Sequence, residues 1–494
     1  MRSERNTIQI KKKKTVFGRF TRLWSVILLL GSLFFAGLIA YSGLLTTKLL
    51  IIACAVIFAV FLLLFPALWS FRFKKSRKAL AFVMSLLIGA VYGVGGYYLG
   101  GTLDFINKIS SVVSITRDTY YVIVRDDGQF EELGDIEGSR VISLNGGDSL
   151  PEAEKKLQEK VQVKLYSAEN NNEAAEALLT GDEDVLFMSS ANYAGLNGSF
   201  DNFDDDTKIL EKITILTSGS GTAKGVTVTE EPFNVLISGL DTEGDIGETS
   251  RSDVNMIMTV NPNTRSILLT SIPRDYYVEY PDVPGAYDKL THSGIYGVDE
   301  TVATVEKLMD IDINYYVKVN YSTITSLVDA IDGIDVESDY NFETHGQEYY
   351  HFSAGMNHLD GAEALAFARE RQAFEDGDFQ RNRNQQLVLK ALIQKLTSSR
   401  TILLKYGQIL NSLENYIEIN MSGDEIKALV RMQLADMSGW NIETQSIIGG
   451  IDTLPCYAIG NEYASVVTQD PDSVAQAREA IMNVMGIYAQ ENPE

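Results

Sequence analysis

FNVLISGLDTEGDIGETSRSDVNMIMTVNPNTRSILLTSIPRD, residues 233–275, contains three short apolar runs that each border on charge. FNVLIS (233–238) runs into Gly239-Leu240-Asp241, VNMIMTV (254–260) is opened by Asp253, and SILLTSI (266–272) ends in Pro273-Arg274-Asp275. Runs of this length, rich in Val, Ile and Thr and bounded by Gly, Pro, Asn and Asp, read as β-strands. Asp241, Arg251, Asp253, Arg274 and Asp275 therefore fall at strand ends, where layered α/β folds commonly keep binding and catalytic groups. The expected fold is α/β, with a central sheet flanked by helices. Asp241, Glu243 and Asp245 imitate the start of a calcium loop, but that loop needs Gly at its sixth position and Glu at its twelfth. Ile246 and Ser252 stand there instead. A hard ion held by one or two carboxylates, water and a substrate phosphate is the magnesium pattern; the other reading makes Asp241 and Asp253 turn and strand-cap residues.

Downstream, GAEALAFARERQ (361–372) reads as a helix running into a strand. On a strand, Arg369 and Arg371 point to one face about 7 Å apart. Two guanidinium forks at that separation suit a diphosphate. With Glu363, Glu370 and Glu375 close by, a salt-bridged surface strand is the alternative. EDGDFQRNRNQQLVLKALIQKL (375–396) reads as a long helix with Asp378 at its N-cap. Asp378, Arg381 and Gln385 share one helix face, and Leu389, Leu392 and Leu396 continue near it as an apolar stripe. An anion at a helix N-terminus beside an apolar groove is what a lipid phosphate needs.

Upstream, residues 104–228 alternate short apolar runs with helical patterns. Segments 120–124, 161–165 and 185–188 read as strands, 151–162 and 172–179 as helices, making a small α/β accessory domain. Residues 218–231, rich in Gly, Ser and Thr, read as the linker to the next domain. Before these lie three apolar stretches, 23–45, 49–69 and 79–100, each of about the 20 residues that cross a bilayer as a helix. Gly89/Gly93 and Gly96/Gly100 have the small-xxx-small spacing of a helix-packing face, although Gly is common in membrane helices anyway. Basic residues crowd before the first span and between the second and third, whereas only Lys48 separates the first two. Positive loops stay inside, so residues 1–22 are expected to be a cytoplasmic tail and everything after the third span to be exported. Residues 1–100 carry a net +13 and the remainder a net −37, so the exported part should repel nucleic acid. An anionic ligand there must meet a local arginine cluster, because charges beyond a Debye length of about 8 Å are largely screened. A cytoplasmic tail of about 22 residues and a loop of about nine leave no room for a DNA-binding domain. Cys54 falls in a span and Cys456 outside, so they cannot pair within one chain. His292, His345, His351 and His358 show no metal-ligand spacing.

Taken in order, GLD (239–241), RSD (251–253), IPRD (272–275), DKLTHSGIYG (288–297), LDGAEALAFARER (359–371) and DGDFQRNRNQQ (376–386) resemble the LytR–CpsA–Psr family of cell-envelope proteins. The resemblance covers about residues 233 to 395, with a weaker tail to about 488. Three spans followed by an accessory domain are similar to its capsule-associated branch. Many members place an arginine directly before the first Gln of the pair; here that place is Asn384 and the arginine is Arg383, about 100° away around the helix. Arg383 is therefore not counted as a ligand.

The resemblance implies an LCP-like α/β catalytic domain over residues 233–488. It also implies a phosphotransferase on the outer face of the membrane of a Gram-positive bacterium. Such a protein takes a glycopolymer, here a capsular polysaccharide, from a polyprenyl-pyrophosphate carrier and joins it to peptidoglycan. Carried over by motif, Asp241 and Asp253 serve Mg2+, and Arg251, Arg274, Arg369, Arg371 and Arg381 hold the pyrophosphate. Lys289, Asp378, Gln385 and Gln386 line the same site. Arg251, Arg274, Asp275 and Asp378 are the expected catalytic groups, with Asp275 and Asp378 both candidates for the general base. Implied partners are the membrane, the lipid-linked polysaccharide, peptidoglycan and other capsule-assembly membrane proteins. Two alternatives stay open: pyrophosphate hydrolysis in the same site, and a non-catalytic sensor of capsule biosynthesis. The topology is checked by adding protease to intact cells with a permeable wall. The region after Gly100 should be digested and Cys456 should lie on the outer side; protection of the whole region would reverse the orientation.

Overall fold

In a computed structural model of the chain, the described residues are 16–70, 73–112, 116–144, 149–168, 171–197, 200, 203–217, 223–240, 250–281, 285–345, 349–397, 409, 417–459 and 461–487. Asp241, with its acidic loop, and the first part of the expected linker lie outside them.

Val16–Ser42, Thr47–Trp69 and Lys75–Ile106 are three helices long and apolar enough to cross a membrane. Polar side chains tie them to one another: Arg22 Nε donates to the Trp69 carbonyl at 2.8 Å and Trp24 Nε1 to Ser85 Oγ at 2.8 Å. The glycine spacing works differently from the expectation. Nothing among the described residues lies within 4 Å of where a Cβ on Gly89, Gly93 or Gly100 would stand, whereas one on Gly96 would touch Leu38 at 3.5 Å and one on Gly95, outside the expected set, would meet the Phe35 ring at 2.7 Å.

The accessory sheet has five strands, in the order Lys164–Ala168, Arg140–Leu144, Val185–Ser189, Thr116–Arg125, Thr207–Thr217. Alternation along its longest-buried strand sends Tyr120, Val122 and Val124 to one face and Tyr121 and Ile123 to the other. Helix Leu150–Lys160 covers the first face through Ala153 and Leu157. Helix Asn171–Thr180 covers the second through Ala174, Ala175 and Leu178. The strand expected at 161–165 lies slightly later, at Lys164–Ala168, and the strands Arg140–Leu144 and Thr207–Thr217 escaped the sequence reading.

The three runs at 233–275 are the middle of a six-stranded sheet, in the order Ile417–Ile419, Tyr315–Val319, Phe233–Leu240, Ser252–Asn261, Ser266–Ile272, Asn441–Ser446. The three middle strands are antiparallel, and Tyr315–Val319 and Asn441–Ser446 join them in parallel. Leu236, Ile257, Leu268 and Ile272 face one way, against Val305 and Met309 of helix Val298–Met309 and Ala477 and Ile481 of helix Pro471–Met485. Ile237, Met256, Met258 and Val317 face the other way, toward helices Tyr321–Ala330, Gly361–Arg369 and Asp378–Thr397. Those helices pack on one another through Leu327, Ala364, Phe367, Val388 and Leu392. A cavity of about 490 Å³ separates them from the sheet.

Two local expectations need correction. Helix Gly361–Arg369 does not run into a strand: Glu370 turns out of the helix at φ −64°, ψ 130°, and a turn follows. Arg369 is thus the last helical residue and Arg371 a turn residue, not strand neighbours two apart. Asp378 is the first residue inside helix Asp378–Thr397 instead of its N-cap.

Gly294, within DKLTHSGIYG, closes the loop onto the start of the second central strand. A Cβ there would stand 2.5 Å from the Ser250 carbonyl oxygen and 2.7 Å from the Ser252 nitrogen, both backbone atoms that cannot swing aside. Gly294→Ala is expected to destabilise by roughly 1–3 kcal/mol, the usual penalty of overpacking. Thermal unfolding in detergent should show a midpoint lowered by several degrees; an unchanged midpoint would show that the loop and the strand do not pack as described.

Candidate active site

The strand ends at 253 and 274 and the first turns of helix Asp378–Thr397 bring their charged groups to one place. Arg274 is the hub. Its Nη1 donates to Asp253 Oδ2 at 2.8 Å, and its Nε lies 3.7 Å from Asp275 Oδ2 and 3.8 Å from Asp378 Oδ2. Asp378 Oδ1 in turn faces Arg381 Nη2 at 3.4 Å and Arg371 Nη1 at 3.7 Å. Lys289 Nζ sits 3.2 Å from Asp275 Oδ1. The DKLTHSGIYG loop braces this arrangement. Asp288, fully buried, takes the His292 ring at 2.7 Å and the Ala458 N–H, while Thr291 Oγ1 donates to Asp253 Oδ1 at 2.8 Å.

The charged groups of the cluster shift one another's ionisation. Burial pushes the Asp253 carboxyl up, but Arg274, the Thr291 hydroxyl and Arg381 outweigh it and hold the group below the usual carboxylate range. Burial, then Arg274 beside it, depresses the Arg381 guanidinium. Arg381 is only 9% exposed, yet its Nε and Nη2 have no hydrogen-bond acceptor among the described residues; the 3.4 Å approach of Asp378 is not aligned as one. Arg274 Nε and Gln385 Oε1 are buried and equally unmatched among the described residues. Buried polar atoms normally find partners, so these mark where a ligand's atoms belong.

Asp253, Arg274, Arg369, Arg371, Arg381 and Gln385 all line the cavity. Along helix Asp378–Thr397 the lining continues with Val388, Leu389, Leu392, Ile393 and Leu396. From Arg381 to Leu396 is about 22 Å at 1.5 Å per residue, so one helix face carries the site from charge into grease. Arg369 reaches the cavity from the helix end, its guanidinium stacked 4.2 Å from the Tyr321 ring centroid.

Other expected members lie elsewhere. Arg251 lines a separate small cavity, of about 10 Å³, with Asn172, Asn192, His292 and Ile459, at the seam with the accessory sheet. Gln386 is 3% exposed and turned into the core, where its Nε2 donates to the Leu269 and Gln445 carbonyls. Successive helical residues differ by about 100°, so the two glutamines cannot both face the cavity. Arg383 is clear of the cluster, bonded to Gln380 and Asp376. Thr291 and Tyr321 escaped the sequence reading as site residues, and Glu370, read there as a surface salt-bridge partner, is buried and bonds to backbone instead. Glu370 accepts the His345 and Ala373 N–H groups at 2.8 and 2.9 Å. It pins the turn between the two arginines from within, and no local sequence signal announces a contact with residue 345.

For a metal, no group of three His, Cys, Asp or Glu side chains gathers among the described residues. Asp253 fronts the cavity with both oxygens already in contact with Arg274 and Thr291. Such a donor set fits only a hard ion that keeps its waters and takes substrate phosphate oxygens beside one or two carboxylates.

Residues 203–477 match the sequence profile of the LytR_cpsA_psr family. A Bacillus cereus protein named polyisoprenyl-teichoic acid–peptidoglycan teichoic acid transferase TagU is 40% identical over 197 residues, 40% of this chain and 63% of that protein. An Enterococcus faecalis protein of the same name is 36% identical over 203 residues, 40% of this chain and 65% of its own length. The chain thus spans less than two thirds of these relatives. The crystal structure of Bacillus subtilis TagV is 30% identical, covering 52% of this chain and 98% of its own, with a TM-score of 0.43. The profile match takes in the whole cluster from Asp253 to Arg381 and runs over more than half of the 494 residues; the chain belongs to the LytR_cpsA_psr family.

Proposed function

We propose that this chain is a membrane-held phosphotransferase that moves a glycopolymer from a polyisoprenyl pyrophosphate to peptidoglycan, with its catalytic domain outside the cell. The observation that carries this reading is the joining of an arginine-rich cluster to an apolar cavity along one helix face. Among the described residues Arg274, Lys289, Arg371 and Arg381 pair with Asp253, Asp275 and Asp378, and Arg369 reaches the same cavity. The buried guanidinium nitrogens of Arg274 and Arg381 that have no acceptor among the described residues suit the oxygens of a diester pyrophosphate, in a region that is otherwise strongly acidic. The prenyl chain fits the cavity, where each buried methylene is worth about 0.8 kcal/mol. The relatives' names supply the reaction class. Capsular polysaccharide is the proposed polymer, on the likeness of the three spans and the accessory domain to the capsule-associated branch.

Phosphoryl transfer is mostly positioning and charge stabilisation. A peptidoglycan sugar hydroxyl attacks the phosphorus that carries the polymer. The new P–O bond forms as the bond to the prenyl phosphate breaks, and the hydroxyl proton passes to Asp275, next in the chain to Arg274. The arginines take up the charge that gathers on the departing prenyl phosphate. Mg2+, held by Asp253 and its motif partner Asp241, would add Lewis-acid polarisation of the phosphate oxygens.

Arg369→Lys and Arg371→Lys keep the charge and lose the planar fork, an exchange that bidentate and stacked sites tolerate poorly. Each is expected to lower attachment of lipid-linked polymer to peptidoglycan by about tenfold or more, at least ~1.4 kcal/mol in the barrier, with a smaller loss of lipid binding. Equal losses of both would mean that the arginines only anchor the ground state. Attachment is measured with the purified protein in detergent. No attachment by the wild type, with binding intact, would favour a sensor; release of prenyl phosphate without attachment would favour a hydrolase. Asp253→Ala should abolish Mg2+-dependent cleavage of the donor while leaving the fold intact, and a variant with wild-type activity would place the ion elsewhere.

A further inference from the structure

Asp275 and Lys289 belong to the charged cluster but do not line the cavity. They carry the site outward, onto a two-stranded ribbon made by Tyr277–Glu279 and Tyr287–Lys289. Its register sets Lys289 opposite Tyr277 and Tyr287 opposite Glu279. Val278 and Asp288, opposite each other between them, are buried. By strand alternation Tyr277, Tyr287 and Lys289 therefore share the outer face. The Tyr277 and Tyr287 rings stack there, 5.5 Å apart at 26°. Tyr287 is 42% exposed, so its ring is open to a ligand. The strip continues: Tyr277 Oη donates to the Pro455 carbonyl at 2.8 Å, and Pro455 is paired across the next hairpin with Tyr463, which is 74% exposed.

We infer that this tyrosine strip is the subsite for a pyranose ring of the acceptor glycan strand. The inference rests on the transfer reading given above and adds where the acceptor lies. In an in-line displacement the attacking and leaving oxygens stand on opposite sides of the phosphorus. The leaving prenyl phosphate points into the apolar cavity, so the attacking hydroxyl must come from the side away from it. Asp275 and Lys289 are the cluster members on that side, and the strip leads directly to them. An aromatic face is apolar and rigid, suited to the C–H face of a sugar ring. Lys289, Asp275 and Glu279 at its border offer a donor and acceptors to ring hydroxyls. The donor polymer, fixed to the equatorial side of the same phosphorus, leaves the site in another direction.

The test uses the full-length chain in detergent, lipid-linked polymer as donor and soluble uncross-linked glycan strands as acceptor. Tyr287→Ala should raise the KM for glycan strands about tenfold, the scale of a lost aromatic contact, with the donor KM moved much less. Tyr287→Trp, which keeps a ring, should restore it, and Tyr463→Ala should give a smaller acceptor effect. Sedimentation with insoluble peptidoglycan, which needs no turnover, should show the same ranking. An unchanged acceptor KM and unchanged sedimentation in Tyr287→Ala would overturn the inference. So would a donor KM raised as much as the acceptor KM, since the strip would then hold the donor's sugars. Wild-type protein that sediments through Tyr287 but transfers nothing would sink the transfer reading and leave the subsite standing.

Discussion

The whole domain from residue 233 onward depends on an unfilled sheet face. Side chains alternate across a strand, so a sheet has two faces to cover, and here only one is closed by packing: Leu236, Ile257 and Leu268 meet helices Val298–Met309 and Pro471–Met485. The helices over Ile237, Met256 and Met258 pack on each other and leave about 490 Å³ beneath them. That gap is lined mainly by apolar side chains and opens to solvent, so it stays available to an apolar ligand. The charged residues stand where they do because the strand ends and the helix start open at the same edge of this gap.

The polar end is held by long-range contacts of small groups. Thr291 fixes one oxygen of Asp253 and Arg274 the other. Gly294 lets the loop carrying Thr291 lie against residues 250–252. Glu370, facing inward, sets the direction of a turn whose flanking arginines reach outward. None of these three touches the cavity, yet each determines where a lining residue points.

Much of this was legible in the chain. The helix at 378–397 showed its polar-to-apolar face through spacing alone, because helical periodicity is local. The three central strands showed as apolar runs ending in charge. What misled was also local: Arg-Glu-Arg at 369–371 has the alternation of a strand, but the distant backbone of residue 345 decides its course. Arg251 stands in the same motif as Asp253, but it precedes the strand and the ladder shifts register between Ser252 and Val254, so the two part and only Asp253 enters the cavity. Gln386 reads like Gln385 until the helix turns it into the core. The tyrosine strip has no sequence signature at all, since its members come from three segments that meet only after folding.

Met256 and Met258 give the cavity wall a chemical liability along with its fit. An unbranched thioether bends to follow whatever contour lies against it, which suits a long flexible occupant better than a rigid branched wall does. The same sulfur takes up oxygen readily, and a sulfoxide is polar where the wall must be apolar. On the proposed placement outside the cytoplasm, away from the cell's reducing pool, these two sulfurs are the lining groups open to oxidation. A sulfoxide there would make the apolar end of the cavity polar while leaving its charged end intact.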